Sequence, residues 1–246
     1  MPKLDVDLER QALPTGHYGF SAQRIEDLGA TEYTLTTIVV DESGSVAGFK
    51  PDMERCIQEV VKACQLSPRA DNLMIRLVAF NSSLNEVHGF KLLSAINLDD
   101  YRDVLKTGGM TALYDAAENG VLATSVYGKQ LSAQDLNVNG IVIVITDGDD
   151  NASKSTKNIV KTALAGAVKD ENLESLISIL VGVNVQDPKL SDYLNSFKAD
   201  AGFTQYVELG NASAKTLAKL ADFVSKSISA QSQALGTGGP SKSLAF

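Results

Sequence analysis

Residues 34–45 read TLTTIVVDESGS. A run of β-branched and apolar residues, Thr34 to Val40, stops at Asp41, and Ser43, Gly44 and Ser45 follow. An apolar run bounded by turn residues predicts a buried strand. The acid-and-hydroxyl loop then lies at the strand's carboxyl end, where open α/β sheets place their ligands. The rest of the chain can be asked what else it brings there.

Two further stretches answer. GIVIVIT, residues 140–146, shows no alternation, as expected of a central parallel strand covered on both faces. It runs into Asp147, Gly148, Asp149, Asp150 and Asn151. KTGGMTALYD, residues 106–115, has Gly108 and Gly109 for a tight turn or a close approach, then Thr111 at the start of a helical pattern. Taken alone, Thr111 reads as a helix N-cap, and Asp149 and Asp150 read as solvent-facing or as caps of the helix after them.

Between these loops strand and helix patterns alternate. Helices are predicted over 49–65, 98–105, 112–127, 153–168, 188–197 and 212–229, and strands over 73–80, 86–96, 175–183 and 203–209. The strand at 86–96, with His88 and Lys91, suits a sheet edge. The order implies a doubly wound, mostly parallel α/β sheet with helices on both faces. Three segments result: an irregular N-terminal arm over 1–32, with a helical turn or two within 21–28, one domain over 33–230, and a Gly- and Ser-rich tail over 231–246 expected to be flexible.

Composition narrows the function. The chain has 246 residues, 44% of them hydrophobic, and a formal net charge of −8, which disfavours nucleic acid and anionic membrane as partners. No apolar run approaches the roughly 20 residues that span a bilayer, and MPKLDVDLER lacks the apolar stretch of a secretory signal. Cys56 and Cys64 lie about 12 Å apart along one predicted helix, too far for a disulfide. A reduced, cytoplasmic setting is the expectation. There is no G-x-x-x-x-G-K-[ST], H-E-x-x-H or G-x-S-x-G.

The three loops offer only oxygen: the carboxylates of Asp41 and Asp147 and the hydroxyls of Ser43, Ser45 and Thr111. Such donors suit Mg²⁺, with Mn²⁺ or Ca²⁺ as substitutes, and do not suit Zn²⁺ or Cu. Asp41-Glu42-Ser43-Gly44-Ser45 has the D-x-S-x-S form of the metal-ion-dependent adhesion site of von Willebrand factor type A domains. Gly109-Met110-Thr111 resembles that family's threonine loop, which commonly reads G-G-T or G-x-T, and Thr146-Asp147-Gly148 resembles its T-D-G loop. The resemblance implies a Rossmann-like sheet in the order 3-2-1-4-5-6. It implies direct metal bonds from Ser43, Ser45 and Thr111, with Asp41 and Asp147 acting directly or through water.

Three neutral hydroxyls leave a divalent ion strongly acidic, with a position that a partner's carboxylate could fill. The expectation is a non-enzymatic, Mg²⁺-dependent protein-binding module. The chain looks more like the bacterial and phage intracellular members of the family, including those linked to tellurium resistance, whose partners are often AAA+ ATPases or other complex subunits. Two alternatives remain: a structural component of a phage or phage-like assembly, and a Mg²⁺-dependent phosphoester hydrolase. The second lacks an evident general base, because His17 lies in the arm and His88 on a peripheral strand. Glu42, pointing away from Ser43 and Ser45, is expected at the rim of the site.

Overall fold

A computed structural model describes residues 8–14, 18–169 and 173–246. In chain order its strands and helices are β1 (Leu8–Gln11), β2 (Phe20–Gln23), β3 (Glu32–Asp41), α1 (Lys50–Gln65), β4 (Leu73–Phe80), β5 (Leu84–Leu92), α2 (Leu113–Ser132), β6 (Asn137–Thr146), α3 (Lys157–Lys169), β7 (Leu176–Val183), α4 (Pro188–Ala201), β8 (Gln205–Leu209) and α5 (Ala214–Thr237).

The run that opens at Thr34 makes β3, buried from Tyr33 to Asp41. It pairs in parallel with β4 on one side and β6 on the other, Thr36 facing both Ile75 and Ile141. The eight strands lie in the order β1-β2-β5-β4-β3-β6-β7-β8. From β5 to β8 this is the 3-2-1-4-5-6 order, with β5 antiparallel to β4. Asp41 and Thr146 therefore end neighbouring parallel strands at the same edge of the sheet. On one face α1 and α5 cover Ile38, Ile75 and Ile143 with Ile57, Val61, Leu220 and Val224. On the other, α2, α3 and α4 cover Val39, Val142 and Val144 with Ala117, Val121, Leu164 and Phe197. Both sheet faces are thus removed from water, which is why the central strands are apolar without alternation.

Five expectations are corrected. The arm is not merely irregular. β1 and β2 extend the sheet, β2 pairing with β5 at Ala22↔Phe90, so the third strand of the doubly wound core is interior rather than an edge. Residues 21–23 are strand, and only Ile25–Asp27 forms a helical turn, of the 3₁₀ kind. The expected helix at 98–105 is one 3₁₀ turn, Leu98–Tyr101, ended where Asp103 takes a positive φ of 52°. The tail begins late: α5 continues to Thr237, with Gln231 and Ser232 fully buried, and Leu244 packs on the core.

Candidate metal centre

Three loops meet at the carboxyl ends of β3 and β6. Asp41, 1% exposed, closes β3 and is held from two sides. The Ser43 N–H donates to its Oδ1 at 2.8 Å, and the Thr146 hydroxyl, at the end of β6, donates to its Oδ2 at 2.7 Å. A 3₁₀ turn, Gly44–Gly48, follows, and brings the Ser45 hydroxyl within 3.1 Å of that of Ser43. Ser45 donates onward to Asp147 Oδ1 at 2.8 Å. Four of the five predicted residues are thus joined in one chain of hydrogen bonds across two strand ends.

Thr111 arrives by a separate route. Gly109, at φ 75°, and Gly108, at φ 152°, turn the loop so that its backbone reaches the first one. The Gly108 N–H donates to Glu42 O at 2.9 Å, and the Gly44 N–H to Gly109 O at 3.3 Å. The Thr111 N–H then donates to Asn151 Oδ1 at 2.7 Å, while Thr111 O accepts from Asn151 and Ala152. A methyl group built on Gly148 would stand 3.6 Å from Thr111 Oγ1, so this hydroxyl lies beside the residue that follows Asp147.

Thr111 is not the N-cap of α2. That position is Ala112, which offers no side-chain oxygen. The first α2 amides are served from the third loop instead: Tyr114 N–H donates to Asp150 Oδ1 at 3.2 Å and Asp115 N–H to Ser153 Oγ at 3.0 Å. Asp150 therefore caps the helix before it, not the one after, and Asp149 is exposed. Residues 153–156 precede α3 because they are occupied here, with Ser155 N–H on Asp115 at 2.7 Å.

Electrostatics marks the spot. Burial raises the Asp41 carboxyl, against the donors Thr146 and Ser43, which lower it. Burial likewise pushes Asp147 up to about 6, and the charge of Asp41 adds to it while the Ser45 hydroxyl opposes it. A cation beside these two carboxylates would oppose both shifts and favour their ionised forms. No group of three His, Cys, Asp or Glu able to hold a metal is gathered among the described residues. The cluster offers oxygen alone, three neutral hydroxyls and two carboxylates. That donor set fits a hard divalent ion.

Several participants escaped the sequence reading. Glu42 does point away from Ser43 and Ser45, yet it is 2% exposed and is not a rim residue. Its carboxylate accepts the Lys106 N–H and so anchors the glycine loop. The Thr146 hydroxyl and Asn151 were readable only as neighbours of Asp147. His88 is occupied, its ring nitrogens 2.8 Å from Gly89 O and Tyr101 Oη. The expectation for His17 lies outside the described residues.

Residues 37–222 match the family model for the von Willebrand factor type A domain. No curated protein matches the chain. Among solved structures, a D319A mutant of the PilB minor pilin from Streptococcus sanguinis superposes with a TM-score of 0.61 at 15% identity, over 89% of this chain and 66% of that one. The pilus adhesin SpaC from Lactobacillus rhamnosus GG gives 0.57 at 11% identity, over 86% and 32%. Proximal thread matrix protein 1 from the mussel byssus, with a zinc-occupied MIDAS motif, gives 0.51 at 18%, over 81% and 46%. The chain thus spans less than two thirds of the length of each, and at these identities the likeness is one of fold.

Proposed function

The chain belongs to the von Willebrand factor type A family, and on that premise we propose that it is a non-enzymatic, Mg²⁺-dependent protein-binding module. Ser43, Ser45 and Thr111 would hold the ion through their hydroxyls, with Asp41 and Asp147 placed to act directly or through water. One observation carries the reading: three loops distant in sequence bring five oxygen-bearing side chains to one sheet edge, four of them linked by hydrogen bonds. When bound, the ion supplies a Lewis-acidic position that a carboxylate from a partner protein can fill. Of the two further acids in the third loop, Asp150 accepts the amide of Tyr114 and Asp149 is exposed.

The remaining features of the reading are an intracellular partner, such as an AAA+ ATPase or another complex subunit, and kinship with the bacterial and phage intracellular members, including those linked to tellurium resistance. Two free, buried cysteines support a reducing, cytoplasmic setting. No helix among the described residues is long and apolar enough to cross a membrane.

The test has two arms. Mg²⁺ titrated into chelator-treated protein should raise its melting temperature, and Asp41→Ala or Thr111→Ala should abolish the rise. A rise that survives both substitutions removes the site from consideration. A partner captured from the native extract with Mg²⁺ should be released by chelator, and retention in chelator would refute a metal bridge.

A further inference from the structure

A second site candidate lies away from the metal centre and does not depend on it. Arg76, on β4, is 1% exposed, an unusual fate for a guanidinium. Its Nε donates to Glu86 Oε2 at 2.6 Å and its Nη2 to Asn119 Oδ1 at 2.8 Å. Its Nη1 is buried with no hydrogen-bond partner. Both Glu86 oxygens are engaged elsewhere, Oε2 by Arg76 Nε and Oε1 by the Ser21 hydroxyl at 2.6 Å. Above this side chain, between β1, the residues leading into β2, and α2, opens a cavity of about 250 Å³ lined by Arg10, Gln11, Tyr18, Arg76, Glu86 and Asn119.

The lining sets donors beside apolar groups, Val78 and Leu84 among them. Arg10 is exposed at the opening. Tyr18, half-buried, brings its hydroxyl to the wall. The nearby acids are spoken for: Glu86 by Arg76 and Ser21, and Asp115, whose charge reaches Tyr18, by the amides of Lys154 and Ser155. One buried donor, Arg76 Nη1, is without an acceptor; a ligand that brings oxygen and negative charge would suit it, and a guanidinium fork suits carboxylate or phosphate best.

We propose that the cavity over Arg76 is a binding site for a small oxyanion, phosphate or a short carboxylate, enclosed between the N-terminal strands and α2. Its ligand would fasten β1 and β2 to the core. The test uses the full chain in chelator, so that the metal centre takes no part. Sodium phosphate, sulfate and acetate are each titrated at constant ionic strength while the arginine side-chain N–H resonances and the melting temperature are followed. The expected result is a saturable shift of the Arg76 Nε–H signal with a rise in melting temperature. Tetrahedral anions alone would assign a phosphate-type ligand, and acetate a carboxylate.

Arg76→Gln should abolish the response. Arg10→Glu and Tyr18→Phe, at exposed and half-buried positions, should each weaken it and keep the test valid should Arg76→Gln fail to fold. A wild-type protein that saturates with none of the three anions holds only water there, and the proposal falls. It falls equally if Arg10→Glu and Tyr18→Phe both bind as the wild type does.

Discussion

In the proposed site Asp147 trades stability for a task. Its carboxyl is pushed up to about 6 by burial and by Asp41, so at neutral pH the ionised form costs the metal-free fold free energy. Asn in its place keeps an oxygen for the Ser45 hydroxyl and sheds the charge. Asp147→Asn should therefore stabilise the metal-free protein at pH 7, by about 1 kcal/mol after solvent screening, while removing its response to Mg²⁺. Urea unfolding in chelator and in Mg²⁺ measures both halves, and an Asn variant less stable in chelator would contradict the electrostatic account. At this scale the sequence was most legible where a side chain's role follows from a strand ending. Asp41, Ser43, Ser45 and Asp147 could be placed at one sheet edge that way, and there they lie. Glu42 could not, because its partner is a backbone amide at Lys106, and no residue type signals an amide.

Elements are held to one another by equally local contacts. Glu42 ties the first loop to the glycine loop that delivers Thr111, so Glu42→Ala should weaken Mg²⁺ binding about tenfold, and Glu42→Gln, which keeps an acceptor, should lose much less. Calorimetric titration distinguishes the two. β2 lies so close to β5 that a methyl group on Gly89 would stand 2.0 Å from Ser21 O. Gly89→Ala should lift β1 and β2 from the sheet at a cost of about 1–3 kcal/mol, seen as faster amide exchange over residues 8–23 with the Mg²⁺ response intact. On α1, burial pushes the Cys56 and Cys64 thiols up to about 12. Both should resist iodoacetamide at pH 8 in the folded protein and react once it is unfolded. The helix spacing of α1 was plain in the sequence. β1 and β2 were not, because four-residue strands at a sheet margin carry too little alternation to stand out, and what fixes them is tertiary: Ser21 on Glu86, and Phe20 edge-on to Phe90.

The whole molecule is closed by its last helix, the part of the fold that composition hid best. Residues 231–246 look like a tail because they are rich in Gly and Ser and because Gln231 occupies a position where periodicity expects an apolar residue. Gln231 is instead the bolt. Its backbone oxygen accepts the Asn139 amide at 2.8 Å, and its side chain donates to Ser175 Oγ at 2.7 Å and to Gly140 O at 3.3 Å. One residue on, Ser232 takes the Nε of Arg69, which also pairs with Glu32 at the start of β3. The end of α5 thus fastens the amino ends of β3 and β6, the two strands whose carboxyl ends bear the proposed metal centre. Ending the chain at Ala230 would strip the burial of Leu235 and leave Asn139 and Arg69 short of partners. It should cost about 4 kcal/mol or more, read as a lower urea midpoint. The loss should be global, since β3 and β6 are the centre of the sheet, and Mg²⁺ should recover only the part its own binding supplies. A truncated chain with an unchanged midpoint would return these residues to the status of a tail.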